Sequence, residues 1–210
     1  MIADEAAAKA WLQESGFVDT DGLERLERLI ELLTEENQRQ NLVSASSLLS
    51  AWQRHICDSV QLLRYLPKEG VNSWLDLGSG AGFPGIVIAA VKPDLPVTLV
   101  ESRTRRIEWL NRLGEELGLA NVRVEGSRLE LVEARSFDVI SARAFAPLES
   151  LLKLAARFST KSTLWLLPKG RSAAQELEEL RGWDQSFHVE RSLTDSQAGI
   201  VVGNLAGRKG

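Results

Sequence analysis

Asp76, Gly78, Gly80 and Gly82 fall within one short run, LDLGSGAGFPG, and Glu101 lies 19 residues beyond Gly82. Glycine is needed where backbone turns tightly or meets a ligand without a Cβ in the way. In a βαβ unit, an acid at the tip of the second strand reaches the ribose hydroxyls of a bound nucleotide. Residues of these types at this spacing could hold a nucleotide-like cofactor on a helix N-terminus. The plain alternative is a glycine-rich turn with no ligand.

Two patterns overlap on the glycines. Gly80, Gly82 and Gly85 fit G-x-G-x-x-G, the dinucleotide fingerprint of an NAD-type oxidoreductase. Gly78, Gly80 and Gly82, after Asp76, fit D-x-G-x-G-x-G, which resembles motif I of the class I methyltransferases that use S-adenosylmethionine. Asp76 favours the second reading. An acid at the strand end suits a ligand with a cationic amino-acid end and suits a pyrophosphate poorly.

Other residues carry chemistry less specifically. RHICDS, residues 54–59, gathers a cation, an imidazole, an acid and a hydroxyl within two turns. On a helix Arg54 and Asp58 are i, i+4 neighbours, and a structural network is the simpler reading. Arg143 follows the fourth expected strand, in SARAFAP. The Asn/Asp-Pro-Pro-aromatic tetrad of enzymes that methylate exocyclic amines does not occur there. The histidines are His55 and His188, and no Cys and His group has zinc-ligand spacing, so no metal is expected.

The elements that must position these residues follow from the pattern. Residues 1–70 read as helical: an Ala-rich helix ending near Gly16, and a second capped by Asp21 or Thr20 with Leu23, Leu26, Ile30 and Leu33 as its apolar stripe. A third helical stretch runs from about Leu48 to Leu66, with Asn41 and Leu42 in the break before it. From Val71 strands and helices alternate. Strands are expected at Trp74–Leu77, residues 96–101, residues 121–127, Phe137–Ser141 and residues 162–170, with two weaker ones at Phe187–Leu193 and Ile200–Leu205. Pro84 suits the first turn of the helix after the glycines. The expected fold is α/β and Rossmann-like: a seven-stranded, mostly parallel sheet with helices on both faces, one antiparallel edge hairpin and an N-terminal helical extension. The division is 1–70 for the extension and 71–210 for the cofactor-binding core.

At 210 residues the chain is long enough to bury roughly 70% of its unfolded surface. Cys57 is the only cysteine, so an internal disulfide is excluded and an intracellular, cytoplasmic setting is expected. No signal-peptide pattern and no membrane-spanning apolar run is present. The net charge of −4 speaks against a nucleic-acid partner. Its distribution speaks the other way, because residues 101–171 hold 13 basic and 9 acidic side chains. A local basic face can serve phosphates on an acidic protein.

NLVS at Asn41, RHICDS at Arg54, LDLGSGAGFPG at Leu75, SRLE at Ser127, SARAFAPL at Ser141 and LPKG at Leu167 occur in this order. Together they make the chain similar to the bacterial 16S rRNA guanine-N7 methyltransferase family, called RsmG or GidB. Two positions depart from that pattern: Cys57 stands where an aliphatic residue is usual, and Ala142 splits the usual Ser-Arg-Ala-Phe. The resemblance implies S-adenosylmethionine as cofactor and contacts from Gly78, Phe83, Leu129, Glu130 and Arg143. Asp76, Ser79, Gly80 and Glu101 complete the expected cofactor set. Arg143, Lys169, His55 and Asn41 are placed around the RNA or the base. It further implies a guanine of 16S rRNA, or of a small subunit or its assembly intermediate, as substrate of a monomeric enzyme. Guanine N7 has an in-plane lone pair and no proton, so no general base is expected. A non-catalytic RNA-binding module with a vestigial cofactor fold is the remaining alternative.

Overall fold

A computed structural model describes residues 1–209; Gly210, the last residue of the expected core, lies outside the described residues. The chain opens with α1 (Glu5–Glu14) and α2 (Thr20–Glu36). Asp4 and Asp19 cap them by accepting from the amides of Ala7 and Gly22. The cap of α2 is therefore Asp19, one residue before Thr20 and two before Asp21, the expected caps. Leu26, Leu29, Leu32 and Leu33 form its buried stripe, with Leu23 and Ile30 at the margin.

The expected helix 48–66 is broken into pieces. α3 (Ala45–Leu48) is followed by a π-helical turn, Trp52–Cys57, then α4 (Asp58–Val60) and a 3₁₀ turn, Gln61–Tyr65. The Glu5 carboxylate accepts from the amides of Trp52 and Gln53 and so caps the start of the π turn. π turns are rare and recur at functional sites; this one carries Arg54 and His55.

Five parallel strands follow: β1 (Trp74–Leu77), β2 (Val97–Val100), β3 (Val122–Glu125), β4 (Val139–Ala142) and β5 (Leu164–Gly170). α5 (Gly85–Val91), α6 (Thr104–Glu116) and α7 (Leu148–Ala155) connect them. α8 (Ala173–Glu179) leads to β6 (Trp183–Gln185), β7 (His188–Arg191) and β8 (Gly199–Arg208). The order across the sheet is β3-β2-β1-β4-β5-β8-β6, with β7 also paired to β8. Among the described residues the sheet has eight strands, not the expected seven. β8 runs on to Arg208 and gains a partner, β6, beyond the stretch that pairs with β7.

Side chains alternate between the two faces of each strand. On β1, Trp74 joins the core shared with α2, α5 and α6, and Leu75 and Leu77 join the core under α7 and α8. Leu12, Leu26, Leu33 and Ile56 lie in the same cluster as Ile86, Val87 and Leu110. The N-terminal helices thus close one face of the sheet through a common core. The reversal of strand order falls between β1 and β4, where ligands of open α/β sheets bind.

Candidate functional site

The turn after β1 takes backbone conformations that only glycine adopts at low cost: φ is +65° at Gly78, +55° at Gly80 and +106° at Gly82. Gly85 serves a different purpose. A Cβ there would overlap Leu99 and crowd Asp76, so its absence lets α5 lie close on the sheet.

Asp76 is fully buried beneath this turn. It shares its strand face with Trp74, and so points at α5. Its Oδ1 accepts from the Ser141 hydroxyl at 2.7 Å and its Oδ2 from the Gly85 amide at 3.2 Å. Ser141 in turn accepts from the Trp74 indole at 2.8 Å. Burial raises the Asp76 pKa to about 6, against the lowering effect of these hydrogen bonds. The expected direct contact with a ligand is corrected: Asp76 does not line the cavity but fixes the turn from below. Ser79 does line it, with its hydroxyl bonded to the Asp76 carbonyl.

A cavity of about 400 Å³ lies over the turn. Glu101, at the end of β2, stands on its wall, and its carboxylate accepts from the amides of Gly80, Ser102 and Arg103 at 2.7–3.0 Å. Gly78, Gly80, Phe83 and Leu129 line it. Glu130 does not. The 3₁₀ turn Leu129–Leu131 buries Leu129 and turns Glu130 outward, half-exposed and paired with Arg128 at 3.4 Å.

Leu42, Val43 and Arg106 also line this cavity, and no sequence signal singled them out as cofactor contacts. The Asn37 side chain accepts from the amides of Leu42 and Val43 at 2.9 and 3.0 Å. Arg106 donates to the carbonyls of Asn41 and Leu42. The Asn41 side chain is absent from both cavity walls, so its expected place against the base is corrected; its carbonyl anchors the loop.

A second cavity, of about 950 Å³, adjoins the first at Arg143, Ala144 and Phe145. Arg54, His55, Asp58, Lys169 and Arg171 are on its walls. Arg143 is the hub. Its guanidinium donates to the Arg54 carbonyl at 3.2 Å and to His55 Nδ1 at 3.2 Å, lies 3.6 Å from Asp58 and sits 5.0 Å from the Phe83 ring centroid. The His55 ring stacks against Phe83, with centroids 4.8 Å apart. Arg54 itself pairs with Asp195 at 3.4 Å, so the expected Arg54–Asp58 helix pair gives way to an Arg143–Asp58 pair. Lys169 is largely buried; its ammonium is held by Glu176 at 3.0 Å and by the Ala146 carbonyl. That pairing turns Lys169 from the expected contact with the RNA or the base into an anchor of the 143–147 loop.

Burial, reinforced by Arg143 and Arg54, lowers the His55 pKa to about 3. With Nδ1 accepting from Arg143, the ring is neutral and donates from Nε2 to the Ser47 hydroxyl at 3.1 Å. Between about pH 3 and 6.5 the unfolded chain binds a proton at His55 that the folded chain does not. Stability from this group is therefore lost as the pH falls below 6.5, by about 1.4 kcal/mol per unit. Asp76, whose folded pKa is raised, acts in the opposite sense between about pH 4 and 6. The difference between wild type and His55→Gln isolates the histidine. Its melting temperature should lie below wild type at pH 8, with the gap narrowing by pH 5. A gap that stays constant over that range would rule out a neutral buried His55.

The sequence matches the GidB family model, described as rRNA small subunit methyltransferase G, over residues 22–197. Ribosomal RNA small subunit methyltransferase G of Erythrobacter litoralis is 58% identical over 204 residues, 97% of each chain. That of Novosphingobium aromaticivorans is 54% identical and covers 99% of this chain and 91% of its own. A SAM dependent methyltransferase from Aquifex aeolicus has the same fold, with a TM-score of 0.59 at 17% identity over 80% of this chain and 97% of that one. A mutant of MtNAS in complex with S-adenosylmethionine superposes with a TM-score of 0.57 at 18% identity, over 97% of this chain and 84% of that one. With a match running from α2 to the loop before β8, and relatives identical at more than half of their positions, this chain belongs to the rRNA small subunit methyltransferase G family.

Proposed function

We propose that this chain transfers the methyl group of S-adenosylmethionine to N7 of one guanine in 16S rRNA. The observation that carries the reading is the junction at Arg143–Phe145, where a glycine-turn cavity meets a larger one with four cations on its walls. The first cavity fits the cofactor. The Glu101 carboxylate suits ribose hydroxyls, Phe83 and Leu129 suit an adenine, and a Cβ on Gly80 would meet only the Gly78 carbonyl at 3.5 Å and the Glu101 carboxylate at 4.0 Å. When bound, S-adenosylmethionine supplies an electrophilic methyl on a sulfonium sulfur.

The residues of this chain then have to orient the base and exclude water, because N7 has no proton to remove. Holding reactants in line is worth several kcal/mol of a barrier. Arg143 suits the guanine O6, and Arg54 and Arg171 suit phosphates. His55, neutral and bonded at both nitrogens, holds Arg143 in place. Residues 1–70 act as an extension that supplies a cavity wall to the core 71–210. The substrate is the rRNA or a small-subunit particle, and the enzyme is a cytoplasmic monomer in this reading. No helix among the described residues is long and apolar enough to cross a membrane.

Methyl-labelled cofactor, purified protein and small-subunit rRNA or subunits lacking the modification provide the test. Label should appear in 7-methylguanosine after nucleoside digestion; label in any other nucleoside, or none, would overturn the reading. The rate of the transfer step should also be nearly flat from about pH 7 to 8.5, above the His55 and Asp76 values of about 3 and 6. A single-turnover rate that rises tenfold per pH unit in that range would reveal a general base.

A further inference from the structure

We propose that the ring of Phe145 is the surface on which the target guanine stacks, at the junction of the two cavities. The inference rests on the guanine-methyltransferase reading and deepens it. Phe145 is the one aromatic residue, among those described, that lines both cavities. Its ring lies over the glycine turn so closely that a Cβ on Gly78 would overlap it. The other rings nearby are taken. Phe83 is 3% exposed and covered by His55 and Arg143; His55 is 6% exposed and stacked on Phe83.

The loop that carries Phe145 is pinned on both sides while the ring has no polar tie. Arg143 is held by Arg54, His55 and Asp58, and the Ala146 carbonyl accepts from Lys169. Between them Ala144 has φ +52°, a left-handed conformation that a residue with a side chain seldom takes. Such strain collects at functional sites. A base drawn out of its own stack for chemistry needs a replacement partner, and an aromatic face supplies one.

Phe145→Tyr keeps an aromatic face; Phe145→Leu keeps apolar bulk without one. Single-turnover methyl transfer to rRNA should stay within about threefold of wild type for Tyr and fall roughly tenfold or more for Leu. A second readout uses small-subunit rRNA with 2-aminopurine at the methylated position, as identified by nucleoside mapping. Its emission should be quenched on binding wild type and Phe145→Tyr, and remain several-fold higher with Phe145→Leu. Leu behaving as Phe in both measurements would show a merely apolar plug, and Tyr failing as Leu does would equally overturn the stacking role. If wild type itself makes no 7-methylguanosine, the parent reading fails; if it does and the variants match it, only the stacking proposal fails.

Discussion

Gly80→Val should lose at least a hundredfold in affinity for S-adenosylhomocysteine while still folding cooperatively. The two halves of this result come from the same geometry. A Cβ on Gly80 would find nothing closer than the Gly78 carbonyl at 3.5 Å and the Glu101 carboxylate at 4.0 Å. The protein therefore has room for the side chain, and that room is the cofactor's. The cost to the fold is backbone strain, because φ is +55° and valine is β-branched. Strain of this kind is about 1–3 kcal/mol, or a few degrees of melting temperature for each kcal/mol in a domain of this size. Calorimetric titration beside a thermal melt separates the effects. Unchanged affinity would sink the assignment of this cavity to the cofactor. Gly85→Val makes an instructive contrast: its side chain would overlap Leu99 and Asp76 in the core, so loss of the fold itself is expected.

Arg143→Ala should lower the single-turnover rate of methyl transfer by about a hundredfold or more, with a much smaller change in cofactor affinity. The guanidinium serves the Arg54 carbonyl, His55, Asp58 and the Phe83 face together. Its removal leaves Asp58 without its cation and His55 Nδ1 without its donor. A misplacement of about 1 Å at a reacting centre costs on the order of a hundredfold in rate. Arg143→Lys should recover little, since a single ammonium lacks the planar fork that bonds two acceptors and lies on a ring. A rate within threefold of wild type in Arg143→Ala would remove Arg143 from the transfer step.

The parallel half of the sheet was legible because each unit is local. A strand, a glycine turn and a helix lie within some twenty residues, and apolar periodicity marks both elements. Glu101 was legible for the same reason. What escaped depends on how the elements pack and on short turns that carry no period. Lys169 reads as a free cation until Glu176 folds back on it, and Asp58 reads as the partner of Arg54 until Arg143, 85 residues on, reaches it first. The inward turn of Asp76 was partly readable, since alternation places it with Trp74, but its bonds to Ser141 and Gly85 belong to the packed sheet. The outward turn of Glu130 hangs on a single 3₁₀ turn, and a three-residue strand such as β6 carries too few positions for any period to show.

β8 joins strands that all precede it in the chain, β5 along one side and β6 and β7 along the other. The ribosome that makes this protein therefore delivers β5 with one edge unpaired, and that edge stays open while α8, β6 and β7 emerge. A hydrophobic edge of this kind is a template for another chain. Trp165 and Leu167 lie within it and are buried in the folded chain. Synthesis that stalls between Arg191 and Gly199 would release a product whose helices and parallel strands are present but whose β5 edge is free to pair with other nascent chains. An aggregation-prone interval in the synthesis of the molecule thus falls after the glycine turn has been made and before β8 closes the sheet.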